Sequence, residues 1–158
     1  MGLRIGHGFD AHPLVSGRRC VLGGVEVPSD AGPEGHSDGD VVLHALADAL
    51  LGAAAAGDLG SVFGTSRPEW KDVPSSRLVA HVRELTDHPP IVNVDVTVIA
   101  ARPRVSPFAD TMREKVAALL GTEVSRVSVK ASSGNGLTAF GRGEGIAAEV
   151  VLLVEIPE

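Results

Sequence analysis

The stretch that decides the fold is "GDVVLHALADALLGAAAA" at positions 39–56. Its apolar residues recur at helical spacing, which predicts a helix, with Ser37 or Asp38 as the cap. The apolar stripe of this helix consists of Leu43, Leu46, Ala47 and Leu50. Asp40, His44 and Asp48 follow one another at intervals of four residues and form a separate polar stripe. Because most of the helix is Ala, Leu and Val, as in a buried element, we expect the polar stripe to face a cleft.

Regular patterns on both sides of this helix predict the remaining elements. Strands are expected at 3–12, where Pro13 would end the first one, and at 91–101, 127–132 and 145–156. A hairpin is expected at 20–28, loops at 29–40 and 57–74, a helix at 75–85, and a further helix within 103–121 that ends at Gly121. This order predicts an α/β (α+β) fold, with a single domain over 1–158 and a mixed β-sheet that has helices packed on one face.

The composition excludes some partners. The 158-residue chain has a net charge of −6 and only 3% aromatic residues, with no Lys/Arg run, so a nucleic-acid partner is not expected. We find neither a signal-like N-terminus nor an apolar run long enough for a bilayer, so no membrane is expected. Cys20 is the only cysteine, which excludes an intrachain disulfide and fits a reducing compartment. We therefore expect a cytoplasmic protein.

The first strand and the first helix carry possible metal ligands. Asp10 and His12 point the same way because a strand has a period of two, although such a pair can also be a plain polar spot at a strand end. With His44 they would make two histidines and one carboxylate with one open position, as in catalytic zinc sites. Asp40 or Asp48 could then orient His44. Spacing alone does not show that the strand and the helix meet.

Several other polar residues have an ordinary structural interpretation. The loop "GHSDGD" at 35–40 enters a helix N-terminus, so it is either an anion site or a plain capping loop. Ser132 and Ser133 follow a strand, where hydroxyl groups meet phosphates in some proteins and simply end the strand in others. We expect a core position for His7, surface positions for His81 and His88, and a structural role for Cys20. The glycines of "GRGEG" at 141–145 indicate a tight bend or a close contact between chain segments.

Six segments together resemble one known family. They are "RIGHGFDAH", "GGV-V-P", "HSDGDVVLHALADALLGAAAAGDLG", "NVDVTVIA-RP", "VSVKA" and "GRGEGIAAE", and they cover essentially the whole chain in order. They are similar to the 2-C-methyl-D-erythritol 2,4-cyclodiphosphate synthase family of the non-mevalonate isoprenoid pathway. The resemblance implies a homotrimer with its sheets around a central axis and active sites between subunits. It also implies conversion of 4-diphosphocytidyl-2-C-methyl-D-erythritol 2-phosphate to the cyclic diphosphate and CMP.

The resemblance implies a role for particular residues. Asp10, His12 and His44 would hold one Zn²⁺ per subunit beside the β-phosphate, with Asp10 and His12 also close to the substrate. His36 and Ser37 would contact the 2-phosphate, and the methylerythritol pocket would be lined by Asp48, Asp58 and Gly60. The cytidine segment would be Ala100, Pro103, Arg104, Val105 and Ser106. Ser132 and Ser133 would bind the diphosphate, while Arg142 and Glu144 would lie towards the trimer axis. Among these, the residues expected to act in catalysis are His36, Asp48 and Ser133.

Three segments depart from the family pattern. Asn135 stands where the family has an acidic residue that binds Mg²⁺ or Mn²⁺ with the substrate diphosphate, and a neutral amide should bind that ion more weakly. The usual "FPDTD" is "FGTSR" at 63–67, so a lid carboxylate is missing. The usual "LGFTGRG" is "LTAFGRG" at 137–143, which moves the aromatic residue to Phe140 and alters the expected axial lining.

Two other functions remain open from the sequence. One is a zinc-dependent phosphoesterase, in which the same three ligands activate a water molecule. The other is a non-catalytic trimer that binds a metal or an isoprenoid diphosphate, which the Gly-rich segment and the neutral Asn135 would support.

Overall fold

The computed structural model describes residues 1–64 and 66–157. Its strands are β1 (Gly2–Ser16), β2 (Cys20–Leu22), β3 (Val25–Val27), β4 (Ala31–Pro33), β5 (Ile91–Ile99), β6 (Val127–Ser132) and β7 (Gly145–Ile156). Its helices are α1 (Val41–Ala54), α2 (Leu59–Phe63), α3 (Ser75–Leu85), α4 (Ala109–Leu120) and α5 (Thr138–Gly141). Of the departing segment at 63–67, Thr65 lies outside the described residues.

A five-stranded mixed sheet in the order β4-β1-β7-β5-β6 forms the centre of the fold. The pair β5 and β6 is parallel and the other pairs are antiparallel, while β2 and β3 form the predicted hairpin. Helix α1 packs on β1 and β7, α4 packs on β6, and α3 contacts both α1 and α4. The mixed sheet with helices on one face is therefore confirmed. Within the described residues, no helix has the length and apolar character needed to cross a bilayer.

Helix α1 begins two residues later than predicted, and its cap is Asp40 rather than Ser37 or Asp38. The Asp40 carboxylate accepts hydrogen bonds from the first-turn amides of Val42 and Leu43 at 3.1 and 3.0 Å. It also accepts from the amides of the glycine turn between β2 and β3, at 2.9 and 2.8 Å. Asp40 is 0% exposed. It therefore ties α1 to the hairpin and does not face a cleft, which corrects one end of the predicted polar stripe.

Strand β1 packs its glycine face, and not its apolar face, against helix α1. Its apolar residues Leu3 and Ile5 are 63% and 69% exposed, whereas Gly6 and Gly8 are buried against α1. The strand also continues beyond Pro13 to Ser16. The prediction of a core position for His7 is wrong, because its side chain is 55% exposed and lies 3.7 Å from Glu149.

Two segments predicted as loops contain short regular elements. Strand β4 lies within 29–40 and pairs with the end of β1, while α2 and a short helical turn at Pro68–Trp70 lie within 57–74. The turn brings Trp70 onto Phe63, with ring centroids 4.6 Å apart, and onto His81 at 5.1 Å. His81 is therefore half-buried against these rings and only partly at the surface, whereas His88 is exposed as expected. These contacts involve residues far apart in sequence, which local patterns do not report.

Candidate metal centre and active site

Asp10 and His12 of β1 meet His44 of α1 on the helix-covered side of the sheet. Oδ2 of Asp10 lies 2.9 Å from Nε2 of His12 and 3.0 Å from Nδ1 of His44. One ligand atom from each residue lies within 4.8 Å of the other two. The structure thus brings the two ligands of β1 to the third ligand on α1, which the spacing in the sequence did not show.

The charges around this group favour a cation. Burial disfavours the ionised form of Asp10, but the contacts with His12 and His44 outweigh it and hold the pKa of this carboxyl below its usual value. Burial acts to lower the pKa of His44, but Asp10 outweighs it and raises the pKa overall, with smaller contributions from Asp40 and Asp38. Acidic groups therefore dominate the electrostatics of this small region.

The residues present fit a zinc ion. Two imidazoles and one carboxylate are a common donor set for zinc that keeps an open position. Among the described residues, the buried Nε2 of His12 has no hydrogen-bond partner, since its contact with Asp10 is not aligned for one. A buried nitrogen without a partner is expected where a metal ion supplies the missing interaction.

Two serine hydroxyl groups contact Nε2 of His44, the ring nitrogen that does not face Asp10. This nitrogen lies 2.9 Å from Oγ of Ser75 and 3.1 Å from Oγ of Ser37. The prediction that Asp40 or Asp48 orients His44 through a hydrogen bond is therefore wrong. Ser75 escaped the sequence analysis because it lies 31 residues further along the chain, at the start of α3.

A cavity of about 200 Å³ lies beside the metal ligands. His36, Ser37 and Gly60 line it, as the sequence predicted for substrate-contacting residues. Its apolar wall contains Leu59, Phe63, Trp70 and Leu78. The sequence analysis did not assign this wall to the site, although Trp70 is the only tryptophan in the chain. The cavity combines a polar end at the histidines with an apolar wall, which suits a small ligand with both characters.

The two predicted pocket carboxylates support the turn between α1 and α2. Asp48 accepts a hydrogen bond from the amide of Leu59 at 2.8 Å, and Asp58 caps α2 by accepting from the amide of Ser61 at 2.8 Å. Burial raises the pKa of Asp48, and the nearby charges of Asp58 and Asp10 raise it further.

The other predicted site residues form a second group at the ends of β5 and β6. The amide of Ala100 donates to the carbonyl of Ser132 at 2.9 Å, and Ser133 Oγ accepts from the amide of Asn135 at 3.2 Å. Val105 is 3% exposed and belongs to the hydrophobic core. The exposed residues of this group are Arg104, Ser106, Ser132, Ser133 and Asn135, with Pro103 half-buried. Arg142 pairs with Glu144 at 2.9 Å.

Ser132 of this second group lies on the face of the sheet opposite to Asp10 and His12. Ala11 lies between the two metal ligands of β1 and pairs with Ala147 of β7. Ala147 pairs in turn with Ile99 of β5, which pairs with Ser132 of β6. Three strand spacings of about 4.8 Å separate Ala11 from Ser132, which is roughly 14 Å. Asp10 and His12 point towards the helices, whereas Ser132 lies on the other face. Within one subunit, Ser132 therefore lies three strands away from the metal ligands of β1, on the other face of the sheet.

The fold and the site together define a mixed α/β protein with a candidate mononuclear metal centre of one aspartate and two histidines. The YgbB family model matches residues 3–155, and the chain belongs to the YgbB family.

Named relatives of this chain cover nearly all of it. A protein of Moorella thermoacetica named 2-C-methyl-D-erythritol 2,4-cyclodiphosphate synthase is 50% identical over 157 residues, which is 96% of this chain and 94% of the relative. The bifunctional IspDF of Campylobacter jejuni is 31% identical with a TM-score of 0.93; 99% of this chain matches, but only 43% of that longer chain. The CDP complex of IspF from Plasmodium falciparum is 30% identical with a TM-score of 0.85, and 99% and 97% of the two chains are covered.

Proposed function

We propose that this protein is a 2-C-methyl-D-erythritol 2,4-cyclodiphosphate synthase of the non-mevalonate isoprenoid pathway. It would convert 4-diphosphocytidyl-2-C-methyl-D-erythritol 2-phosphate to the cyclic diphosphate and CMP, as a phosphorus–oxygen lyase. The observation that carries the proposal is the meeting of Asp10, His12 and His44 in a chain whose relative at 50% identity bears this name. Its location in the cytoplasm stays a prediction.

The reaction requires positioning rather than a protein nucleophile. An oxygen of the substrate's 2-phosphate forms a new bond to the β-phosphorus. The bond from that phosphorus to the bridging oxygen of the CMP unit breaks, and CMP leaves with the electron pair. Asp10, His12 and His44 would hold Zn²⁺. The bound ion would act as a Lewis acid towards the β-phosphate.

Two groups of residues would hold the substrate. His36 and Ser37, which line the cavity beside the metal ligands, would bind the 2-phosphate, with Asp48, Asp58 and Gly60 around the methylerythritol unit. Ala100, Pro103, Arg104, Val105 and Ser106 would receive the cytidine, and Ser132 and Ser133 would hold the diphosphate. Arg142, towards the trimer axis, would be a further substrate-binding residue. Asn135 would contribute to Mg²⁺ or Mn²⁺ binding. A CDP complex among the structural relatives supports a cytidine nucleotide as the ligand class.

We propose that the active protein is a homotrimer with each site between two subunits. The sheet face away from the helices carries large exposed apolar side chains, among them Leu3, Ile5, Phe9 and Val151. Such a patch is typical of a surface that is covered by another subunit. The separation of roughly 14 Å between Ala11 and Ser132 of one chain, on the sheet face away from Asp10 and His12, also supports a second group that comes from a neighbour.

Release of CMP tests the proposal directly. Purified protein supplied with Zn²⁺ and Mg²⁺ should release CMP from the cytidyl diphosphate substrate, without inorganic phosphate. His44→Ala should lose its zinc and nearly all of this activity, whereas His88→Asn, at an exposed histidine, should retain both. Equal CMP release from wild type and His44→Ala would refute the proposal.

A zinc-dependent phosphoesterase would use the same three ligands, so the product must be examined. Cyclisation inside the substrate takes up no oxygen from water, whereas hydrolysis incorporates one atom. Mass spectrometry of the product formed in ¹⁸O-labelled water therefore separates the two reactions. Calorimetry that detects substrate binding without any CMP release would instead indicate a non-catalytic binding protein.

A further inference from the structure

A chain of three polar side chains leads from the metal centre to the start of α3. Oγ of Ser75 contacts Nε2 of His44 at 2.9 Å and also donates a short hydrogen bond to Oδ1 of Asp38. Oδ2 of Asp38 accepts from the amide of Ser75 at 3.1 Å. Ser75 is 0% exposed, so water does not compete for its hydroxyl group. We call this arrangement the Asp38–Ser75–His44 chain.

The direction of these hydrogen bonds decides which nitrogen of His44 carries a proton. Oδ1 of Asp38 accepts from Ser75 and from the amide of Asp40 at 3.1 Å, so this carboxylate acts only as an acceptor. The one hydroxyl proton of Ser75 is thereby used. Ser75 can then only accept from His44, so the contact at 2.9 Å calls for a proton on Nε2, and Oγ of Ser37, 3.1 Å from the same nitrogen, is a second acceptor for it. The lone pair of Nδ1 is left for the side where Asp10 and His12 lie.

We propose that Ser75 and Asp38 are positioning residues that hold His44 in the tautomer and orientation needed to bind the metal through Nδ1. Outer partners of this kind orient metal-binding histidines and raise their affinity for the ion. The inference deepens the proposed function, since it assigns the support of the same zinc site. It adds two residues to which the sequence analysis gave no role at the metal.

The same residues also have a structural role, which a test must separate. Asp38 satisfies the first amide of α3, and this contact uses the backbone of Ser75 rather than its hydroxyl group. Ser75→Ala therefore keeps the backbone hydrogen bond at the helix start and removes the two contacts of the hydroxyl group, with His44 and with Oδ1 of Asp38. Ser76→Ala is a matched control on the same helix turn, because the Ser76 hydroxyl makes no hydrogen bond among the described residues.

The first measurement is zinc affinity, determined by competition with a chromophoric chelator. Ser75→Ala should weaken zinc binding roughly 10- to 100-fold, while Ser76→Ala should stay within about twofold of wild type. Ser75→Thr, which keeps the hydroxyl group, should restore affinity. The absorption bands of bound Co²⁺ should shift in Ser75→Ala alone. Thermal unfolding midpoints show that the variants are folded.

A second variant tests the Asp38 end of the chain. In Asp38→Asn the amide oxygen takes the position of Oδ1, where the Ser75 hydroxyl group and the amide of Asp40 donate, and the NH₂ group faces the amide of Ser75. The link from Ser75 to His44 keeps its direction but loses the carboxylate charge that strengthens it. We expect zinc binding between those of wild type and Ser75→Ala, and the double variant Ser75→Ala/Asp38→Asn should bind like Ser75→Ala.

These outcomes distinguish the inference from a merely structural role. Unchanged zinc affinity in Ser75→Ala, or losses in the two single variants that multiply in the double variant, would overturn it. If wild type binds zinc but releases no CMP, the proposed function fails while the inference about the Asp38–Ser75–His44 chain stands.

Discussion

Gly8 lies directly against the backbone carbonyl of Ala45: a Cβ atom built at Gly8 would be 1.9 Å from that oxygen. Gly6 makes the same kind of contact one helical turn further on, where a Cβ would be 1.8 Å from the oxygen of Ala49. These two glycines let α1 lie on β1 at a distance that no side chain would allow. Because Ala45 follows His44 and Gly8 precedes Asp10 by two residues, the same contact brings the metal ligands together.

Gly8→Ala should therefore damage both the fold and the metal site. The new methyl group meets backbone atoms of α1, which cannot move aside as a flexible side chain can. We expect a loss of at least about 3 kcal/mol in the free energy of unfolding, together with reduced zinc content. Gly2→Ala on the same strand is the control, since its Cβ would lie 3.7 Å from Ile156 and should change stability by less than about 0.5 kcal/mol. Denaturant unfolding of both variants decides the matter.

Asp40→Ala should be strongly destabilising. It removes the cap of α1 and leaves the amides of Gly23 and Gly24 without their acceptor. The lost cap and the unpaired buried donors together should cost about 3–5 kcal/mol. Asp40→Asn keeps one acceptor oxygen and should lose only about 1–2 kcal/mol. Equal stability of the two variants, measured in urea, would show that the carboxylate does not hold the helix to the hairpin.

Mixing two inactive variants should restore activity if each site lies between subunits. His44→Ala breaks the metal half, and the double variant Ser132→Ala/Ser133→Ala breaks the half on the opposite face of the sheet. After joint refolding, random hybrid trimers should place intact halves together at about one quarter of the interfaces. CMP release should therefore reach up to about one quarter of the wild-type rate. If hybrid trimers form but stay inactive, both halves of the site belong to one chain.

Asn135→Glu should tighten apparent Mg²⁺ binding during turnover and leave the zinc content unchanged. A carboxylate adds the charge that an amide lacks at a hard-cation site. Asn135 has a φ of 52°, in the left-handed region that most side chains disfavour, so part of any effect would come from the backbone. Asn135→Gln shares that backbone cost without the charge and is the matched control. If the Mg²⁺ titrations of both variants coincide, another group carries that ion.

Cys20 should be unreactive in the native protein. Burial raises the pKa of its thiol to about 11, and the side chain is 1% exposed. Compared with an ordinary thiol, at least about 100-fold less thiolate is available at pH 8. Iodoacetamide should label the unfolded protein readily and the native protein only slowly, with the native rate rising as the pH approaches 11. Rapid native labelling at pH 8 would contradict the buried position of the thiol.

Elements with a strong local pattern were predicted well. The bounds of α3, β6 and β7 match the sequence prediction, and Leu78 and Val82 of α3 are buried, although Leu85 at the end of that helix is exposed. Such patterns report hydrophobic periodicity and turn residues, which neighbouring residues determine. The candidate ligands Asp10, His12 and His44 could be predicted from local periodicity as well. Two of them share one face of a strand, and the third lies on the polar stripe of the predicted helix.

Only the tertiary structure decided which face of β1 packs against α1. The apolar residues Leu3 and Ile5 indicated one face, but backbone contacts at Gly6 and Gly8 placed the other face on the helix. Likewise, Ser75 reaches His44 from 31 residues away, a contact that no local pattern encodes. The sequence by itself thus determined the elements and the candidate ligands. Close packing of glycine against a helix backbone decided how they meet, because that depends on the shapes of two distant segments.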